Sequence, residues 1–291
     1  AKEVEMSYFI SRNGEQAPTG FIGSTIPAGA KRIVCMSSSY IAMLDALGQV
    51  NRIVAVSGID YVSNPYILAH KDSIKDMGPE MNYELLLGLK PDIVLLYGIG
   101  DAQTAITDKL KELSIPYIYM GEYLEESPLG KAEWMVVLSE LTDSREKGIE
   151  IFSEIPKRYL SLKALTESVG QCPTVMFNTP WNDSWVMPST KSYMAQLVAD
   201  AGAEYIYKEN SSNSSTSIGL ETAYGLIQKA DYWINVGSAT SLDELKTVNP
   251  KFADAKAVRE RTVYNNNLRL TPTGGNDYWE SAVIRPDVVL R

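Results

Sequence analysis

NYELLLGLKPDIVLLYG, residues 82–98, decides the fold. Its first half spaces apolar residues as a helix does and stops at Pro91; its second half, DIVLLYG (92–98), is a continuous apolar run of strand length. A helix feeding a strand that is apolar on both faces belongs to a parallel sheet covered by helices. The same grammar returns at GLETAYGLIQKADYWINVG, residues 219–237: a glutamate near the front, an apolar helical patch, an aspartate, then an apolar strand closing on glycine. Its recurrence about half a chain later predicts two α/β lobes of one plan.

The flanking sequence extends the alternation. KRIVCMS (31–37) reads as a strand, SYIAMLDALG (39–48) as a helix closed by Gly48, and RIVAVSG (52–58) as a strand. After residue 98 come a helix at 102–113, a strand at 116–121 and a helix at 130–142. Residues 143–169 break the rhythm with one long amphipathic pattern (Ile151, Ile155, Tyr159, Leu162, Leu165), in which Pro156 predicts a kink or a helix start just before it. The alternation then resumes: strand 174–180, helix 192–202, strand EYIY, helix 220–229, strand 232–237, helix 241–248, strand 262–267 and a last helix from about Tyr278. The expected organisation is an N-terminal extension (1–30) with a hairpin at 8–23, an N-terminal lobe (31–142), an inter-lobe helix (143–169) and a C-terminal lobe (170–291). The fold class is α/β: two Rossmann-like lobes with mostly parallel sheets, joined by one long helix that restricts hinge motion, with the ligand cleft between them.

Bulk composition narrows function. The 291 residues carry 45% hydrophobic and 22% charged side chains, an ordinary globular balance. A net charge of −9 leaves no basic surface for nucleic acid, and no apolar run reaches the eighteen residues of a membrane span. Ala1 in place of a methionine reads as a chain that begins after a removed leader. Cys35 and Cys172 could form one disulfide, but both sit at the start of apolar strand-like runs in opposite halves and read as buried free thiols. The single histidine, His70, lies in a polar stretch and reads as a solvated surface residue, which leaves no tri-histidine metal site or bis-histidine haem site. No resident metal or cofactor is expected.

Catalytic signals are weak. GIG (98–100) lacks the third glycine of a dinucleotide loop, GGN (274–276) follows no clean strand, and GxxxxGK[ST] is absent. Asp183, Asp231, Asp277 and Glu280 show no pairing by spacing, so the chain does not read as an enzyme. Rings at strand ends say more: Trp181 and Trp185 in PWNDSWVMP (180–188), Tyr278 and Trp279 in GGNDYWES (274–281), and Tyr97 closing its strand. One such ring is commonly a rim hydrophobe; as a group they predict an aromatic-walled site for a large, partly apolar ligand. Glu84 and Glu221 each suit the first turn of a helix. As a pair at one point of each lobe, they fit a two-point electrostatic contact with a symmetric basic partner.

The succession KRIVCMS, MLDALGQVNRIVAVSG, KDMG, NYELLLGLKPDIVLLYG and LKELSIPYIYM resembles the periplasmic binding proteins of ABC importers for ferric siderophores, haem and cobalamin, the helix-backbone class III type. The resemblance covers Lys31 to Arg291. PLGKAEW (128–134), PWNDSWVMP and GGNDYWESAVIRPDVVL are similar to the branch found in Bacteroides-type bacteria. The resemblance implies a monomeric extracytoplasmic or periplasmic receptor that delivers a metal chelate to a dimeric permease, with Glu84 and Glu221 docking on its arginines. The second copy departs from the pattern with QKADYWI where Pro-Asp would stand. Some members are tethered by a lipidated cysteine; none begins this chain, so an anchor is expected either to have been removed with a segment outside it or to be absent. Tyr97 corresponds to a cleft aromatic of cobalamin-binding relatives. A ferric siderophore, the first choice, would meet Lys191 and Arg269; cobalamin, the near second, would meet Trp181 and Trp185; haem would be held by Tyr97 or Tyr278. The competing classes are an α/β enzyme using the same cleft and a sensor or adhesion module that has lost transport.

Overall fold

A computed structural model describes residues 16, 19, 26–78, 80–98, 103–166, 170 and 172–291. The hairpin expected at 8–23 lies largely outside these residues, and Ile99 and Gly100 of the GIG run lie outside them. In chain order the elements are β1 (Ile33–Cys35), α1 (Ser38–Ala46), β2 (Ile53–Val56), α2 (Pro65–Ala69), β3 (Lys75–Asp76), α3 (Tyr83–Leu89), β4 (Ile93–Tyr97), α4 (Gln103–Glu112), β5 (Tyr117–Met120) and α5 (Pro128–Leu141). Then follow α6 (Arg145–Ala164), β6 (Thr174–Phe177), β7 (Ser184–Met187), α7 (Tyr193–Asp200), β8 (Glu204–Tyr205), β9 (Thr216–Gly219) and α8 (Leu220–Ile227). The chain closes with β10 (Tyr232–Ile234), α9 (Leu242–Val248), α10 (Lys256–Glu260), β11 (Val263–Tyr264), α11 (Asp277–Ser281) and α12 (Pro286–Leu290).

Two parallel sheets result, ordered β3-β2-β1-β4-β5 and β11-β10-β6-β8. The continuous apolar runs are buried as a doubly covered sheet requires: Ile93, Val94 and Leu95 are each fully buried, and so is Trp233. The chain divides into two compact units. One takes the described residues up to Gly121 together with Glu133–Phe152, and the other Glu122–Ala132 with Ser153–Arg291. Each has its own core, Val34, Ala55, Leu86 and Val94 in the first, Met176, Trp185, Ile227 and Trp233 in the second.

Helix α6 runs unbroken through Pro156, so no helix starts there. Ile155 and Tyr159, both 2% exposed, are buried beside it and hold the segment in place. Residues 145–152 belong to the first unit and 153–164 to the second. Within the second unit α6 is tied down by polar contacts. Tyr159 donates to Asp200 Oδ2 at 2.6 Å, Lys163 pairs with Asp200 Oδ1 at 2.7 Å, and Arg158 donates to Asp287 Oδ2 at 2.5 Å.

Two features differ from the sequence reading. Residues 184–187 are a strand, β7, paired antiparallel with β9. Their burial alternates, Trp185 and Met187 inward, Val186 outward, the period of a half-buried strand. Cys172 is exposed, because the apolar run of β6 begins only beyond it; Cys35 is buried and free, and burial pushes its thiol up. Among the described residues no helix is long and apolar enough to cross a membrane.

Candidate functional site

The two glutamates stand at the same position of their helices. Glu84 is the second residue of α3 and Glu221 the second of α8, and both are exposed. In the first helix Asn82 caps the start, its Oδ1 accepting the Leu85 N–H at 3.0 Å. In the second Gly219 stands at that point without a side-chain cap. Each helix leads into a central strand, α3 into β4 and α8 into β10. Glu221 borders a shallow hollow with Tyr224, Lys251 and Phe252. Beside it Tyr224 donates to Asp254 Oδ2 at 3.0 Å and Gln228 to Asp254 Oδ1 at 3.2 Å.

At the carboxyl ends of the strands lie the candidate ligand groups. Tyr97 closes β4 in the first unit with 45% of its surface exposed, although the strand before it is buried. In the second unit Trp181, 75% exposed, follows β6. Arg269 lies beyond β11 and forms an ion pair with Asp277, the first residue of α11. Tyr278 follows and meets Trp279 edge-on, ring centroids 5.0 Å apart. Burial pushes the Tyr278 phenol up. Lys191 is exposed just ahead of α7, with its backbone N–H donated to Ser189 Oγ at 3.0 Å. Trp185 is corrected: it is fully buried between Trp233 and Phe252, and its indole N–H donates to the Phe177 carbonyl at 2.8 Å. It belongs to the core and offers no face to a ligand.

The structure brings forward groups that sequence reading passed over. Asn178, Asn235 and Asn266 follow β6, β10 and β11, and Asn276 precedes α11. Their side chains form a directed chain: Asn276 donates to Asn266 at 3.3 Å, Asn266 to Asn235 at 3.0 Å, and Asn235 to Asn178 at 2.6 Å. Backbone groups fix its polarity at both ends. Asn178 Nδ2 donates to the Val186 carbonyl at 2.9 Å, and Asn276 Oδ1 accepts the Tyr278 N–H at 2.9 Å. Every amide therefore has one orientation. Asn178 (φ 67°) and Asn235 (φ 60°) are left-handed, a conformation asparagine tolerates better than most residues. Only the run NNN at 265–267 hinted at this cluster in the sequence.

A second group in the same unit joins α5, α7 and α11. The Lys131 ammonium lies 4.3 Å over the Tyr193 ring. Burial pulls Lys131 down, and Glu122 and Glu125 oppose that. Burial pushes the Tyr193 phenol up, and the neighbouring Tyr278 adds to it. His70 is exposed, stacked on Tyr66 at 4.0 Å with Nδ1 2.8 Å from the Tyr66 carbonyl. Among the described residues no three His, Cys, Asp or Glu side chains come together to hold a metal ion.

Comparison with known proteins places this architecture. The family model described as periplasmic binding protein matches residues 33–267. An uncharacterized lipoprotein of Methanocaldococcus jannaschii is 26% identical over 273 residues, 89% of this chain, and the chain spans 63% of that relative's length. Among solved structures, the periplasmic haem-binding protein of Vibrio cholerae aligns with a TM-score of 0.67 at 16% identity, covering 89% of this chain and 98% of its own. The periplasmic vitamin B12-binding protein of the same organism gives 0.64 at 16% identity, covering 91% and 99%. An ABC-type Fe3+-hydroxamate transport protein of Saccharomonospora viridis gives 0.65 at 17% identity, covering 90% and 94%. At such identities the structural likeness is one of fold. The family match is wider in meaning, because its members are extracytoplasmic substrate-binding proteins of transport, not enzymes. With a match across most of its length and two parallel α/β units, the chain belongs to the periplasmic binding protein family.

Proposed function

We propose that the protein is an extracytoplasmic solute-binding protein that captures a metal chelate and delivers it to the permease of an ABC importer. The observation that supports this most is the matched pair of exposed glutamates, each the second residue of the helix that feeds a central strand. Like charges at equivalent points of two similar units suit a dimeric partner offering arginines, the side chain best shaped for a carboxylate. Exposure also separates these acids from structural ones such as Asp200, 5% exposed and engaged by three side chains.

The ligand is proposed to be of the ferric-siderophore type, with cobalamin or haem as the alternative, met by Tyr97, Trp181 and Tyr278. Lys191 and Arg269 are the cations offered to an anionic chelate, although the Asp277 carboxylate already balances Arg269. A thermal-shift panel of ferric siderophores, haemin and cobalamins tests the reading. A ligand at a hundredfold its Kd stabilises the folded state by about 2.7 kcal/mol and raises Tm. A panel in which no member raises Tm would sink it. Docking is tested separately: Glu84→Ala with Glu221→Ala is expected to abolish stimulation of the importer's ATPase while ligand affinity stays unchanged. Loss of ligand affinity instead would place these acids in the binding surface.

A further inference from the structure

The second unit contains a cavity of about 480 Å³ where the asparagine chain meets the last two helices. Leu268, Val288 and Val289 give it apolar walls, and Asn266, Tyr278 and Arg285 bring polar ends to it. An apolar hollow with a few convergent polar groups is the usual form of a small-molecule site.

The unused bonding capacity of those groups defines what fits. Asn265 also lines the cavity, but both its N–H donors are spent on the Gly237 and Ala239 carbonyls at 2.8 and 2.9 Å, and its Oδ1 already accepts the Asn266 N–H at 2.9 Å. Asn266 is different. Its amide donates once, to Asn235, and accepts once, from Asn276. One N–H and one lone pair remain, in an orientation that the chain through Asn178 to Val186 prevents from reversing. The Tyr278 hydroxyl neighbours the Tyr193 phenol but has no hydrogen-bond partner in the protein among the described residues. Of the two cations lining the cavity, Arg269 is matched by Asp277, while the Arg285 side chain has no carboxylate partner among the described residues.

We propose that this cavity receives an uncharged, amide- or hydroxyl-bearing arm of the ligand, with Arg285 accommodating no more than one anionic group. The inference rests on the solute-binding reading and sharpens it. It favours metal complexes with a neutral periphery over multiply anionic ones, because a neutral amide both donates to and accepts from Asn266. A multiply charged anion would meet a single unmatched cation in the lining of this cavity, on a protein of net charge −9.

The test is a titration of intrinsic tryptophan fluorescence with four probes: cyanocobalamin (an amide periphery with one phosphodiester), ferrichrome (an uncharged ferric trihydroxamate on a peptide ring), ferric enterobactin (a multiply anionic catecholate) and haemin. Cyanocobalamin or ferrichrome is expected to bind at least about tenfold more tightly than either anionic probe, the discrimination one good hydrogen bond supplies. Asn266→Ala is expected to weaken the preferred probe about five- to thirtyfold. Asn276→Ser keeps an oxygen to cap Tyr278 but removes the Asn276 donor to Asn266, and it is expected to weaken binding less. Arg285→Gln separates the two sources: it lowers affinity for cyanocobalamin and flattens its salt dependence, and leaves ferrichrome unaffected. Tighter binding of ferric enterobactin or haemin by the unaltered protein overturns the inference while leaving the solute-binding reading intact, and requires no variant to fold. Wild-type affinity in Asn266→Ala overturns it as well. If no probe binds, the solute-binding reading falls and takes the inference with it.

Discussion

Asp231 accepts the Thr174 backbone N–H at 2.7 Å, and Asp92 does the same for Arg32 at 2.9 Å. Each aspartate ends the turn between a helix and a central strand, and each reaches the chain just entering or starting the neighbouring parallel strand. Asp92 also takes the Lys31 N–H at 2.7 Å, and Asp231 also takes the Thr174 hydroxyl at 2.9 Å. A parallel strand starts without hairpin partners for its first N–H groups, and a carboxylate at this point supplies them. The aspartate common to KPD and KAD is therefore a register clamp, which explains why it persists where the proline is lost.

Asp231 gives the first prediction. The Lys256 ammonium at 2.5 Å, followed by the Thr174 N–H, holds its carboxyl down at about 2. A folded value below the ordinary aspartate value of about 3.9 means the clamp's contribution is complete above roughly pH 5 and is lost as pH falls toward 2. Asp231 and Lys256 are 34% and 32% exposed, so screening removes much of the ion pair's worth and the bonds to Thr174 carry the effect. Asp231→Ala is expected to cost about 1–3 kcal/mol at pH 7 by urea denaturation. The gap from wild type should narrow between pH 4 and pH 2, and a constant gap would rule out the carboxylate as its source.

How much of this could be read beforehand depended on whether one residue type dominated a stretch. DIVLLYG and YWINVG are continuous apolar runs, and both became central strands. β7 was hidden because Asn182 and Asp183 announce a loop immediately before an alternation only four residues long. β9 was hidden in a stretch rich in serine and asparagine. Trp185 was misplaced with β7, since on a loop it would have been a rim residue and on a strand it points inward. The asparagine chain was illegible for another reason. Its members, at 178, 235, 266 and 276, become neighbours only when three parallel strands and α11 bring their ends together.

The crossing of α5 and α6 gives the second prediction. A Cβ at Gly148 would collide with the Ser139 side chain, which is fully buried and donates to the Val136 carbonyl at 2.7 Å. Gly148→Ala is expected to destabilise by about 1–3 kcal/mol despite alanine's better helix propensity, because overpacking outweighs it. Adding Ser139→Gly removes the obstacle and should recover part of the loss in a thermal melt. No recovery would place the cause elsewhere.

The two tryptophans of the 180–188 segment should separate cleanly. Trp185→Ala is expected to cost about 3–5 kcal/mol, through the vacated core volume and the Phe177 carbonyl left without its donor. Trp181→Ala, at a ring 75% exposed, is expected to leave Tm within about a degree and to weaken whichever probe binds. Urea midpoints and fluorescence titrations on the same two variants decide it. A stable Trp185→Ala protein would contradict its place in the core.

The last prediction concerns how α6 is held in the second unit. Asp200 is 5% exposed and takes bonds from Tyr159, Gln196 and Lys163 at 2.6, 2.8 and 2.7 Å, so one carboxylate serves α6 and its own helix α7. Its removal leaves the Tyr159 hydroxyl, on a side chain 2% exposed, without an acceptor. That desolvated hydroxyl is the larger part of the cost, since Lys163, 40% exposed, still reaches water. Asp200→Ala is therefore expected to lose about 2–4 kcal/mol, and Tyr159→Phe alone about 1 kcal/mol. The double variant should lose less than the sum, because phenylalanine no longer needs the missing acceptor, and a coupling of about 1 kcal/mol in urea melts would measure that shared bond. Strict additivity would show that Tyr159 and Asp200 stabilise the α6–α7 contact independently, leaving apolar packing as what fixes the helix.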